Sequence, residues 1–125
     1  MRILFHEFDN LDRIYISESF GYNDLKLRKW SWLFKNYIDR IYIPLEQIDN
    51  VIGILVDNFI HSNQLTDIRL LLFNGTKDYE PVELFYTASD KTITFMENSH
   101  DIEFPVYKLN EFIQHLIDFK QEITK

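Results

Sequence analysis

The chain's candidate acid, base and metal-binding groups are four histidines and twenty carboxylates; cysteine is absent. His6, His61, His100 and His115 show no His-x-x-His or His-Glu-x-x-His spacing, the pattern that places two imidazoles on one helix face around a metal. Neither a Gly-x-Ser-x-Gly elbow nor a phosphate-cradling glycine loop occurs, and three glycines leave little material for one. Glu7 with Asp9, or Glu80 with Glu83, has the spacing of paired carboxylates for acid and base catalysis. Nothing around either pair marks an apolar cleft, and among twenty acids such pairs arise by number alone. The expectation is a protein without enzyme activity, metal or cofactor. His100, beside Asp101, reads as an exposed turn residue, and His115 as part of the polar side of the last helix.

Two constellations carry binding chemistry instead. Lys26, Arg28, Lys29 and Lys35 interleave with Trp30, Trp32, Phe34 and Tyr37, and single-strand binders combine cations for phosphate with aromatic rings for bases in this way. The competing reading, favoured on sequence, sends both tryptophans into the core, since they fall on one side of a strand. The second constellation is an acidic run, Asp78, Glu80, Glu83, Asp90, Glu97, Asp101 and Glu103, set mostly at turns and strand ends. Such a rim suits a cationic partner, although dispersed solvated charge is the simpler reading.

The net charge is −7 and unevenly placed. The first forty residues carry seven basic and six acidic side chains, the remainder six and fourteen. An acidic second portion disfavours broad contact with phosphates, whose affinity comes from Lys and Arg releasing counterions. Hydrophobic residues at 46% and aromatics at 16% exclude the composition of a disordered chain. No apolar run is long enough to cross a bilayer, and no secretory leader is expected in Met1 to Glu7. The lack of cysteine fits a reducing cytoplasm.

These residues must be positioned by short strands and two helices within one domain of 125 residues. Met1 to Phe8 and Asp12 to Phe20 read as a hairpin turning at Asp9-Asn10-Leu11. Leu25 to Trp32 reads as a strand whose period slips at Arg28-Lys29, as at a β-bulge, with a helix over Asp24 to Tyr37 as the competitor. Arg40 to Leu45 follows as a short strand. Glu46 to His61 has the clearest helical spacing, through Ile48, Val51, Ile52, Leu55 and Phe59, and Ser62-Asn63-Gln64 ends it. Asp67 to Phe73, Val82 to Thr87, Lys91 to Glu97 and Asp101 to Val106 read as strands, and Lys108 to Glu122 as a second amphipathic helix.

The two helices have similar preambles. Ile41-Tyr42-Ile43-Pro44-Leu45 aligns without gaps, 61 positions on, with Ile102-Glu103-Phe104-Pro105-Val106, and the match runs on to Leu55/Leu116 and Asp57/Asp118. Each proline stops strand pairing and cannot sit inside the helix that follows. The fold class expected is therefore α+β, two ββββα repeats over 1–63 and 64–125, each antiparallel sheet covered by one helix. That order resembles the Whirly and PUR-repeat architectures, and the resemblance implies sheets that carry single-stranded nucleic acid. In size, acidity and lack of motifs the chain also resembles bacterial immunity proteins, including those of contact-dependent growth inhibition, which implies an inhibitor of a cognate, basic toxin. The inhibitor is the leading expectation and the single-strand binder the alternative; a homodimer is compatible with either.

Overall fold

Among the described residues, alternating apolar runs bounded by turn residues form eight strands, and two amphipathic runs form helices. The computed structural model describes residues 2–6, 13–18, 24–61 and 64–123. Strands β1 (Arg2–His6), β2 (Arg13–Glu18), β3 (Asp24–Ser31) and β4 (Asn36–Pro44) pair antiparallel in chain order, and helix α1 (Ile48–Leu55) follows. Strands β5 (Ile68–Phe73), β6 (Val82–Thr87), β7 (Thr92–Glu97) and β8 (His100–Pro105) make a second antiparallel sheet, followed by α2 (Leu109–Ile123). The class is α+β, as expected. The turn read at Asp9-Asn10-Leu11, the Glu7/Asp9 pair and the helix end at Ser62-Asn63 lie outside the described residues.

The proline preambles adopt the same geometry. Pro44 (φ −58, ψ 144) and Pro105 (φ −69, ψ 145) each close a strand and lead into one 3-10 turn, Leu45–Gln47 and Val106–Lys108, before the α-helix begins. The fixed proline φ suits both the strand end and the helix entry, while the missing N–H ends the ladder. The first helix is not α-helical throughout, as Glu46 to His61 had suggested. After Leu55 it widens into a π-helical turn, Val56–Ile60.

Both sheets turn their apolar faces onto one core. Ile14, Ile16, Leu25, Leu27, Ile41 and Ile43 of the first sheet and Val82, Leu84, Ile93, Phe95, Ile102 and Phe104 of the second are all buried. Phe112 of α2 lies 5.3 Å from Phe95 and 5.0 Å from Phe104, ring centre to centre. Phe59, in the π turn, meets Tyr86 of β6 at 5.3 Å. Packing is reciprocal: α1 touches β5, the first strand of the second sheet, and α2 touches β1, the first strand of the first.

The sheets meet along β4 and β8. The backbone N–H of Tyr42 donates to Glu97 Oε2 at 2.8 Å, so a side chain of the second sheet covers part of the free edge of the first. Beside it, His100 Nδ1 lies 3.3 Å from Asp39 Oδ1. These two residues are 61 positions apart, the offset of the proline preambles. The exposed turn expected for His100 is thus corrected: it opens β8 and is half-buried against Asp39. His115 is likewise half-buried, with Nδ1 enclosed.

Leu55 and Leu116 are both fully buried. Truncating either to Ala should cost about 2 to 5 kcal/mol, because the lost transfer energy adds to the cavity left behind. Urea denaturation of the two variants checks this.

Candidate functional site

Strand β3 decides what the first sheet shows to solvent. Leu25 and Leu27 are buried, so Lys26, Arg28 and Trp30, at alternate positions, point to the outer face. The expected slip at Arg28-Lys29 does not occur within β3. The alternation continues through half-buried Lys29 and buried Ser31, and the irregularity falls in the pairing with β4, where Lys29 faces Asp39 but Trp30 faces Tyr37. Ile38 is the extra residue. The helix considered for Asp24 to Tyr37 is absent; a turn at residues 32–35 separates two strands, and β4 starts at Asn36 rather than Arg40. Lys35 takes φ 53 in that turn, and Ser31 Oγ accepts from the Phe34 N–H at 3.3 Å.

The core role expected of the tryptophans is therefore corrected. Trp30 is half-buried on the outer face, and Trp32 is 50% exposed in the turn, beside Leu33 at 78% and Phe34 at 68%. For Trp30 the cause is phase, since it shares the parity of Lys26 and Arg28 and the core already claims the parity of Leu25 and Leu27; Trp32 falls beyond the strand, in the turn.

Register places the neighbours. Arg13 pairs with Trp30, Tyr15 with Arg28 and Ser17 with Lys26 across β2 and β3; Tyr42 pairs with Lys26 and Arg40 with Arg28 across β3 and β4. The outer face thus carries Arg13, Lys26, Arg28 and Arg40 among Tyr15, Trp30, Tyr37 and Tyr42. The Arg28 guanidinium sits over the Tyr37 ring at 4.0 Å, and Lys26 Nζ over Tyr42 at 5.7 Å. Tyr15 meets Tyr37 edge-on at 6.1 Å, and Trp30 meets Trp32 at 5.8 Å. Cation–π contact and edge packing hold the rings in place. The same parity of β3 begins with Asp24, which is buried at the head of the strand, while Lys29 and Lys35 of the same segment lie on the inward parity and in the turn.

No family model matches this chain, and no curated protein or solved structure does.

The acidic constellation is distributed differently. Asp78 and Glu80 are exposed in the loop between β5 and β6, and Asp90 in the turn between β6 and β7, at the other end of β6. Glu83 binds Arg69 through two hydrogen bonds of 2.6 and 3.1 Å, and that contact holds its carboxyl below the usual carboxylate range. Glu97 points inward; burial pushes its carboxyl up, against the hydrogen bond from Tyr42. Asp101 and Glu103 are exposed on the outer face of β8. The run does not converge on one surface. Among the described residues no group of three or more His, Asp or Glu is placed to hold a metal ion, and no helix is long and apolar enough to cross a membrane.

Sequence reasoning missed one polar anchor. Tyr79 donates its hydroxyl to Oδ2 of buried Asp24, at the head of β3, at 2.8 Å. The loop reaches there through a tight turn: Thr76 N–H donates to the Tyr79 carbonyl at 2.7 Å. A Cβ at Gly75 would lie 2.8 Å from Pro81 Cδ, so glycine is required. Burial and Asp24 push the Tyr79 phenol up from 10.0 to about 12. Tyr79→Phe should cost about 1.5 to 3 kcal/mol, the range for a hydrogen bond to a charged group. A phenol whose folded value is raised adds stability that is complete below its ordinary 10.0 and is lost as pH rises through about 12. The wild-type advantage in urea should therefore hold at neutral pH and shrink in that alkaline window.

Proposed function

We propose that this chain binds single-stranded nucleic acid on the outer face of its first sheet. The observation that carries the reading is the interleaving, on one surface, of Arg13, Lys26, Arg28 and Arg40 with Tyr15, Trp30, Tyr37 and Tyr42. Cations spaced between rings match a strand's alternation of phosphate and base, and rings stack on any base without demanding sequence. The acidity of the second portion does not oppose this, because Asp101, Glu103 and Glu83 belong to the other sheet. Four strands followed by a helix, twice in succession, is also the order of Whirly and PUR repeats, and that likeness favours the same ligand.

A second reading is an inhibitor of a cationic protein, such as an immunity protein that binds a cognate bacterial toxin. Exposed Asp101 and Glu103 favour it. It has less support, since Glu97 is buried, Glu83 is engaged by Arg69 and Asp90 lies at the far end of β6 from Asp78 and Glu80.

Fluorescence anisotropy with a labelled oligothymidylate tests the proposal. Neutralising about four phosphates should give a slope of about −3 in log affinity against log salt. Trp32→Ala should weaken binding by about 1 to 3 kcal/mol, the value of one stacked base. Arg28→Ala should weaken binding and flatten the salt slope, whereas Glu80→Lys with Glu83→Lys should not weaken it. An oligonucleotide that fails to bind at low salt, with a stoichiometric basic protein co-purifying instead, selects the inhibitor.

A further inference from the structure

The outer face of the second sheet differs from that of the first in a way that makes the two complementary. Its inward positions, Val82, Leu84, Ile93, Phe95, Ile102 and Phe104, belong to the core, so Leu71, Glu83, Phe85, Met96, Asp101 and Glu103 look outward. Arg69 lies over Phe85 at 5.0 Å and is matched in charge by Glu83. The remaining charges on this face, Asp101 and Glu103, are two exposed carboxylates on one side of β8. On the edge strand β5 Leu71 is 50% exposed, and on the central strands β6 and β7 Phe85 and Met96 are half-buried. Both sheets press their inner faces on one core, so both outer faces look away from it.

We propose that copies of this chain associate head to tail, the outer face of the second sheet of one copy seating on the outer face of the first sheet of the next. Asp101 and Glu103 meet the cations Arg13, Lys26, Arg28 and Arg40, and Leu71, Phe85 and Met96 meet the half-buried rings of Tyr15 and Trp30 and the exposed ring of Tyr37. Opposed potentials on two facing surfaces steer encounter and set register. Because the surfaces differ, the contact is heterologous and builds rings or open chains rather than a closed two-fold dimer. The association does not depend on the proposed nucleic-acid function. Where that function holds, the next copy and a single strand occupy the same face, so each displaces the other.

Sedimentation velocity of the full chain provides the test. Wild-type protein should associate with rising concentration at about 0.01 M salt and return to monomer well above about 0.15 M, where screening is short-ranged. The pair Asp101→Lys with Glu103→Lys should be monomeric at low salt, as should the pair Arg13→Glu with Arg40→Glu. Mixing the two variants should restore association, because each intact face then finds its complement and the reversed faces also match. Circular dichroism confirms that each variant is folded; should either reversal unfold, Asp101→Asn with Glu103→Gln gives the same loss of association. Monomeric wild type at low salt, variants that still associate, or a mixture that stays monomeric would overturn the proposal. Adding oligothymidylate separates the two ideas: a protein that associates as described but ignores the oligonucleotide keeps this inference and loses the nucleic-acid reading. A protein that binds the oligonucleotide yet stays monomeric does the reverse.

Discussion

Leu25 and Leu27 cannot leave the core, and the exposed chemistry of the first sheet follows from that. A strand's side chains alternate, so fixing two inward residues fixes the outward parity along the whole element. Lys26, Arg28 and Trp30 must then face solvent, and the paired positions on β2 and β4 bring Arg13, Tyr15, Tyr42 and Arg40 beside them. A slip of one residue would bury Lys26, Arg28 and Trp30 and expose both leucines. Burial of each leucine is worth roughly 1.5 to 3 kcal/mol, so the register is held far more firmly by the core than by any contact on the outer face.

The two sheets are bridged by polar contacts, one of which covers part of the open edge of β4. Tyr42 N–H finds Glu97, Asp39 finds His100, and Tyr79 reaches Asp24 from the β5–β6 loop. A buried carboxylate such as Asp24 is costly unless hydrogen-bonded, so its contact with Tyr79 fixes where that loop lies relative to β3. Reciprocal packing of α1 on β5 and α2 on β1 ties the halves together with apolar contacts.

Much of the architecture was legible because its signals are local. Strand alternation, the Pro44 and Pro105 stops and the helical spacing of Leu109, Phe112, Ile113 and Leu116 each depend on a few neighbouring residues. The first helix was legible in place but not in kind, since its widening after Leu55 has no marker in residue type. The tryptophans misled for a different reason: large rings usually fill cores, but Trp30 has the parity of Lys26 and Arg28 and Trp32 lies in the turn beyond the strand. The turn at residues 32–35 lacks glycine and proline, so nothing announced it; Lys35 takes the left-handed conformation instead. The Tyr79–Asp24 and Asp39–His100 contacts span 55 and 61 positions. Such pairings depend on how the sheets pack, which residue spacing does not encode. The scatter of the acidic run had the same cause.

An overall charge of −7 argues against contact with phosphate only if it is spread evenly, and here the sheets divide it. The proposed ligand face is cationic and aromatic, and the exposed carboxylates Asp101 and Glu103 lie on the second sheet. Local potential rather than net charge governs encounter at distances within a Debye length, about 8 Å at physiological salt. The most direct measurement is backbone and indole chemical-shift mapping of the labelled protein during titration with oligothymidylate. The account predicts that the indole N–H signals of Trp30 and Trp32 and the amides of residues 26–30 and 37–42 shift together and saturably. Shifts confined to Asp101 and Glu103 on β8, or none at all, would contradict it.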